Sequence, residues 1–386
     1  MDTIDIKGLL KNVVEWNASD LYLTVDLPPM YRIEGITRPS NGTPVSNEQL
    51  EALALQIMRE KQKQEFQENL EMNLALYYPE IGRFRVNIYR QRGNVGFVFR
   101  QIKLDIVTID ELGLPPIVKQ LAMSKRGLVL FVGATGCGKS TSLAAIIDHR
   151  NSNAPGHVVT VEDPIEFVHR HKQCIISQRE LGFDTHSYSN ALKNTLRQAP
   201  DVILIGEIRD VETMEAAISF AETGHLCLST MHANNANQAI ERIMNFFPPE
   251  RHVQIYLQLS LNIRAIVSQR LIPGVDGKRV ALLEVMMDTP RIKDLIQKGE
   301  VALIKEAMEQ GIQEGCQTFD HVLFEFYRGG KISLEQALIN ADSTNNLRLK
   351  IKLAELKGEP VGNGNQPGDA AQSFRIKSSP TGGMRK

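Results

Sequence analysis

The chain has 386 residues, enough for two or three domains, and is 42% hydrophobic and 23% charged, within the ordinary range of a globular protein. A net charge of −1 argues against a partner gripped through bulk positive charge, so no nucleic acid is expected. No apolar run reaches the length of a membrane span, and the acidic start Met1-Asp2-Thr3-Ile4-Asp5 lacks the layout of a signal peptide. A cytoplasmic protein without direct membrane insertion is therefore expected.

The first hundred residues read as a separate α+β unit. Ile6, Leu9, Leu10, Val13 and Val14 form one apolar face of an opening helix. Short strands are expected at 20–24 and 31–33, with Pro28-Pro29 and Glu34-Gly35 as turn signals. Residues 50–66 read as a charged helix, and 72–75, 84–89 and 95–99 as strands. In Arg83-Phe84-Arg85-Val86-Asn87-Ile88-Tyr89-Arg90 the arginines share one face over the first half, and apolar side chains share the other. Leu112-Gly113-Leu114-Pro115-Pro116 closes a linker that a packed interior would tolerate poorly.

From Ile117 the pattern becomes alternating strands and helices, the mark of an α/β domain with a mainly parallel sheet. Strands are expected at 128–132, 158–161, 202–205 and 226–230, each apolar on both faces as helix-covered strands should be. Past Thr289 the chain turns helical. The tail from Gly358 to Lys386 is rich in Gly, Pro, Ser and Asn and reads as disordered. The expected division is an N-terminal domain at 1–101, a linker at 102–116, a core at 117–357 and a tail at 358–386. Cys137, Cys174, Cys227 and Cys316 form no CxxC pair, so reduced thiols are expected.

Between the strand at 128–132 and a helix through Ser142-Leu143-Ala144-Ala145-Ile146-Ile147 stands Gly133-Ala134-Thr135-Gly136-Cys137-Gly138-Lys139-Ser140-Thr141. Strand, glycine loop and helix make the context of a phosphate-binding loop. Its backbone N–H groups turn around an anion, and the helix N-terminus adds partial positive charge. Lys139 is expected to reach the β- and γ-phosphates of ATP, and the Ser140 hydroxyl to hold Mg²⁺.

In an open parallel sheet, ligands bind beyond the carboxyl ends of the strands. That edge carries Glu162-Asp163-Pro164 after one strand, Gly206-Glu207 after the next and Met231-His232 after a third. Of Glu162 and Asp163, adjacent in extended chain, one faces the nucleotide and the other braces the loop. Asp201 precedes its strand and lies roughly 20 Å from Glu207, at the wrong end for a metal. His232 stands where a γ-phosphate or water would sit, whereas His225 precedes its strand and reads as structural. Cationic charge for the transition state could come from Arg209, or from a neighbouring subunit, with Arg83, Arg85, Arg90 and Arg100 on the N-terminal strands.

These blocks resemble the secretion ATPase superfamily that drives type II secretion and type IV pili. Residues 160–167, Thr-Val-Glu-Asp-Pro-Ile-Glu-Phe, look like its aspartate box, 196–210 like its Walker B block and 223–234 like its histidine box. The resemblance implies an N-terminal PAS-like domain, a RecA-like P-loop core and a homohexameric ring. It also implies that Glu162 is the general base, that Glu207 helps hold Mg²⁺ or its water, and that N-domain arginines complete the site. The opening Asn17-Ala18-Ser19-Asp20-Leu21-Tyr22-Leu23-Thr24 and the lack of paired CxxC motifs fit the PilT/PilU retraction branch. Within that branch, motors of the PilT type carry Ala-Ile-Arg-Asn-Leu-Ile where this chain has Arg291-Ile292-Lys293-Asp294-Leu295-Ile296. Arg and Lys differ at bidentate contacts. The change points to the accessory paralogue, acting with a PilT-like motor on an inner-membrane pilus platform protein. Other readings are an autonomous retraction motor, or a nucleotide-binding scaffold ring. A helicase-like ring is disfavoured by the near-neutral charge.

Overall fold

The structure, a computed structural model, describes residues 3–102 and 105–357, so the tail from 358 lies outside the described residues. The described residues form two compact units, one within 1–112, 118–128 and 140–230, the other within 113–117, 129–139 and 231–386.

The first unit opens with α1 (Ile6–Glu15), β1 (Asp20–Leu23), β2 (Met30–Ile33), β3 (Ile36–Pro39), α2 (Asn47–Ile57), α3 (Glu60–Asn69), β4 (Glu71–Tyr78), β5 (Gly82–Gln91) and β6 (Asn94–Ile102). The six strands form one antiparallel sheet in the order β3-β2-β1-β6-β5-β4. Ile6, Leu10 and Val13 of α1 and Leu50 and Leu53 of α2 are buried with Phe84, Val86, Ile88, Phe97 and Phe99 of the sheet. The alternation of β5 thus turns its apolar residues inward. The helix expected over 50–66 is instead two helices. Met58 and Arg59 are extended, with ψ of 139° and 160°, and the Gln62 side chain accepts from Arg59 N at 3.0 Å to start α3 afresh. Met58 is buried at the break, so its apolar character hid the interruption.

Next come α4 (Ile117–Ala122), β7 (Gly127–Val132), α5 (Lys139–Asn153), β8 (Gly156–Glu162), β9 (Cys174–Glu180), α6 (Tyr188–Thr195), β10 (Val202–Ile205), α7 (Val211–Glu222) and β11 (Leu226–Met231). Within the first unit β11, β10, β8 and β9 lie side by side in that order, all parallel. Gly127 N donates to His225 O at 3.0 Å, so β7 and β11 begin at the same edge. β9 lay outside the expected strands because its sequence turns polar after Cys174-Ile175-Ile176.

The second unit continues with α8 (Ala236–Met244), α9 (His252–Asn262), β12 (Ile263–Pro273), β13 (Arg279–Met287), α10 (Pro290–Lys298), α11 (Ile304–Gln310), α12 (Phe319–Arg328), α13 (Leu334–Asn340) and α14 (Thr344–Leu356). Its strands run in the order β13-β12-β7, with β12 and β13 antiparallel. Helices do follow Thr289, whose side chain caps α10 by accepting from Ile292 N at 3.3 Å. All four cysteines are buried and unbridged. Among the described residues no helix is long and apolar enough to cross a membrane.

One buried amide organises the segment that leads into β9. Asn151, fully buried near the end of α5, donates Nδ2 to Arg170 O at 2.7 Å and accepts from Lys172 N at 3.1 Å and Cys174 N at 3.0 Å. Replacing it strands the buried Cys174 N–H and the part-buried Arg170 O and Lys172 N–H, and a buried unpaired group costs about 1–3 kcal/mol. Asn151→Ala should lower stability by about 3 kcal/mol in urea titration. A loss below about 1 kcal/mol would show that this segment is held by other means.

Candidate active site

In the second unit, β7 delivers the chain to Gly133, and the glycine turn is set by steric necessity. Gly133, Gly136 and Gly138 have φ of 154°, 77° and 92°, where a side chain is strained. A Cβ on Gly133 would stand 2.4 Å from Gln269 O and 2.6 Å from Cys137 Sγ, and one on Gly138 would stand 2.8 Å from Gln269 Nε2. Ala134, Thr135 and Gly136 form the exposed crest. The Lys139 ammonium, almost fully buried, donates to Gly133 O at 2.8 Å and Ala134 O at 3.0 Å. Ser140 and Thr141 fall in the first turn of α5, a fifteen-residue helix whose opening N–H groups favour an anion.

In the first unit, the ends of β8 and β10 meet. Gly206 N donates to Val161 O at 2.8 Å, and a Cβ on Gly206 would lie 3.2 Å from both Glu162 Cα and Tyr188 Oη. Glycine there lets Glu162, at the end of β8, approach the strand that leads to Glu207. The Glu162 carboxylate accepts from Thr160 Oγ1 at 2.6 Å and from Gln178 Nε2 at 3.3 Å. Thr160 is paired with Gln178 across β8 and β9, and Glu162 lies two residues on, so the pleat puts all three on one face. Burial pushes the Glu162 carboxyl up to about 7, while the bonds from Thr160 and Gln178 hold it down. Gln178 also donates to Phe167 O at 2.9 Å and accepts from His169 N at 2.8 Å, tying the segment after β8 back to the strand.

Asp163 takes the opposite direction from Glu162. Its carboxylate stands 3.6 Å from Arg209 Nη2, and the Arg209 guanidinium lies 5.6 Å from the ring centroid of Tyr188. Burial, then the charge of Asp163, raises the Tyr188 phenol above its usual range, with smaller contributions from Glu162 and Glu207. Tyr188 therefore marks the place where Glu162, Asp163, Glu207 and Arg209 gather, and no local pattern signals it. Thr160 was findable, because residues two apart in a strand share a face.

Among the N-terminal arginines, Arg83 and Arg85 lie on the polar face of β5, half-buried. Their charges act on the buried Glu180 at the end of β9, whose carboxyl is raised by burial and pulled back by the Ile165 N–H and these two arginines. Arg90 is on the opposite face, paired with Glu51 and stacked on Phe66 at 5.4 Å. Arg100 donates Nε to the buried Asp20 at 2.8 Å.

Asp201 accepts from His157 N at 2.7 Å, at the start of β8 and the far end of β10 from Glu207. His225 Nδ1 lies 3.0 Å from Thr223 Oγ1 and 3.2 Å from Phe220 O, closing the end of α7. Both positions fit the sequence reading. His232 sits just past β11, half-buried, in the second unit.

Comparison with known proteins bears on this arrangement. Residues 5–321 match the family described as Type II/IV secretion system protein. The type IV pilus ATPase PilU of Pseudomonas aeruginosa is 54% identical over 351 residues, covering 91% of this chain and 92% of its own. The type IV pilus retraction ATPase PilT of the same organism is 42% identical over 334 residues, covering 86% and 97%. The solved structure of the pilus retraction motor PilT with bound ADP matches with a TM-score of 0.84 at 37% identity, over 90% of this chain and 99% of that one. The chain therefore belongs to the type II/IV secretion system protein family, in the branch that holds PilT and PilU.

Proposed function

We propose that this ATPase is a homohexameric motor of type IV pilus retraction that works beside a PilT-like paralogue. The observation that carries the catalytic reading is Glu162, a carboxyl raised to about 7 and oriented by two hydrogen bonds at a strand end. A general base is most effective with a pKa near the working pH.

ATP would lay its phosphates on the N–H groups of residues 133–138 and the N-terminus of α5. Lys139 would exchange its two carbonyl partners for β- and γ-phosphate oxygens. Among the described residues no three His, Cys, Asp or Glu side chains gather as a metal site. Mg²⁺ is held by few protein oxygens together with substrate phosphates. Ser140 and Glu207 are the residues that would hold it, and it would neutralise charge on the β- and γ-oxygens. Glu162 takes a proton from the attacking water as the water oxygen bonds to the γ-phosphorus and the bond to the ADP oxygen breaks. His232 orients the γ-phosphate or the water. Arg209, held by Asp163, is one source of cationic charge for the transition state. Arg83 and Arg85 are the N-terminal arginines we assign to the developing charge, because Arg90 and Arg100 are held within their own domain by Glu51 and Asp20.

The accessory reading rests on α10. Ile292, Leu295 and Ile296 are buried, so the helix packs as its apolar spacing requires. Its outer face is charged: Arg291 pairs with Asp294 at 3.3 Å and Lys293 with Asp288 at 3.0 Å. That face would meet the inner-membrane platform protein or the sister ring, on the cytoplasmic side of the pilus base.

Turnover should rise with pH through an apparent pKa near 7, because only ionised Glu162 accepts the proton. Thr160→Val removes a bond that favours the carboxylate and should move that midpoint upward. Glu162→Gln should lower kcat about 10²–10³-fold while Asp201→Asn stays within a few-fold of wild type. A flat pH profile, or an active Glu162→Gln protein, would remove Glu162 from this role.

Assembly of the site in a ring predicts a poisoning effect. Lys139→Ala subunits mixed into wild-type rings should lower ATPase activity more steeply than their fraction. A strictly proportional loss would mean that subunits work alone.

The division of labour is tested in cells by pilus retraction. A catalytically dead sister motor with this protein intact should still retract, and deleting the sister should stop retraction. Robust retraction without the sister would make this an autonomous motor.

A further inference from the structure

Strand β12 divides its side chains between two neighbours, as the pleat requires. Gln269, 3% exposed, turns toward the glycine loop. Its Nε2 donates to Cys137 O at 2.9 Å, while its own carbonyl crowds Gly133 and its amide crowds Gly138. Leu271, two residues on, also lies against Gly138. The alternate residues turn elsewhere. Ser268 donates to the buried Glu284 of β13 at 3.0 Å, and Glu284 accepts from Ala236 N at the start of α8 at 2.9 Å. Arg270 donates Nη1 to Asn340 O at 2.9 Å, pairs Nη2 with Asp342 at 3.1 Å and lies 3.8 Å from the ring centroid of Phe319. Ile272 is buried with Phe319, Leu323 and Ile351.

We infer that Gln269 is a positioning residue for the phosphate loop and that β12, through Arg270, carries the seating of α12–α14 to that loop. Gln269 acts through one peptide plane. The Cys137–Gly138 peptide is planar and trans, so a Cys137 carbonyl fixed on Gln269 directs the Gly138 N–H the opposite way. An anion cradle needs its N–H groups held in set directions before the anion arrives. Gln269 also leaves no room for a side chain at 133 or 138, so the turn cannot relax toward β12. On the other face of the strand, the guanidinium of Arg270 is held by a ring of α12, a carbonyl at the end of α13 and a carboxylate of the loop before α14. A shift of those segments moves Arg270, and its neighbour in the chain moves with it. The inference rests on the phosphate-loop reading proposed above.

The test uses the full-length protein with Mg²⁺ and a fluorescent ADP analogue, read as Kd, beside KM and kcat for ATP. Gln269→Leu keeps the volume and removes the donor. It should weaken binding about tenfold and raise KM more than it lowers kcat, the scale of one buried carbonyl left unpaired. Gln269→Glu can donate to Cys137 O only when protonated, so its Kd relative to wild type should be markedly worse at pH 8 than at pH 6. Gln269→Asn, which keeps the amide but is too short to reach Cys137 O, should weaken binding as Gln269→Leu does, and it decides the matter if Gln269→Leu fails to fold. Arg270→Met should weaken binding about threefold in the wild-type background and add nothing to Gln269→Leu, because coupled residues are non-additive. Wild-type affinity in Gln269→Leu, a pH-independent ratio in Gln269→Glu, or full additivity of Arg270→Met would overturn the inference. Lys139→Ala separates the two readings: undiminished binding there would sink the phosphate-loop assignment itself.

Discussion

The carbonyl of Gln269 stands 2.4 Å from where a Cβ of Gly133 would be, and this close approach of two backbones fixes the glycine loop against β12. Everything the loop does depends on it. Only glycine fits at 133 and 138, so the turn is tight, and a tight turn brings the buried ammonium of Lys139 back onto Gly133 O and Ala134 O. Two carbonyl bonds satisfy a charge that would be costly to bury unpaired. The same geometry makes the lysine available to phosphate oxygens, which are stronger partners than neutral carbonyls.

A second constraint governs the acidic edge, where burial and hydrogen bonding oppose each other. Desolvation alone would hold Glu162 protonated. Thr160 and Gln178 return part of the balance to the carboxylate and leave it near neutrality. Asp163, the next residue, points the other way and pairs with Arg209. Two adjacent carboxyls thus take different partners because extended backbone sends them to different surroundings. Gly206 makes the arrangement possible, since a side chain there would press on Glu162 and Tyr188.

Local pattern reached some of this and not the rest. The apolar runs that became β7, β8, β10 and β11 were plain, and the residues following each could be placed on one edge from strand direction alone. The glycine loop was legible because its spacing and flanks are local. β9 escaped because an edge strand with polar residues has no apolar run. The break between α2 and α3 escaped because Met58 is apolar and the cap is made by Gln62, a residue that signals nothing without its partner. Gln269 lies 132 residues from the carbonyl it binds, and no periodicity relates them. Gln178 and Tyr188 were hidden for the same reason, since their function is conferred by neighbours across the sheet.

The general-base role proposed for Glu162 is the part of the proposed function that a structure can test outright. The most direct measurement is a crystal structure of the full chain with Mg²⁺, ADP and aluminium fluoride. A water oxygen in line with aluminium should stand within hydrogen-bond reach of Glu162, with Lys139 moved from Gly133 O to the phosphate mimic and Gln269 still bonded to Cys137 O. A Glu162 turned away, with a different carboxylate on the attacking oxygen, would contradict it.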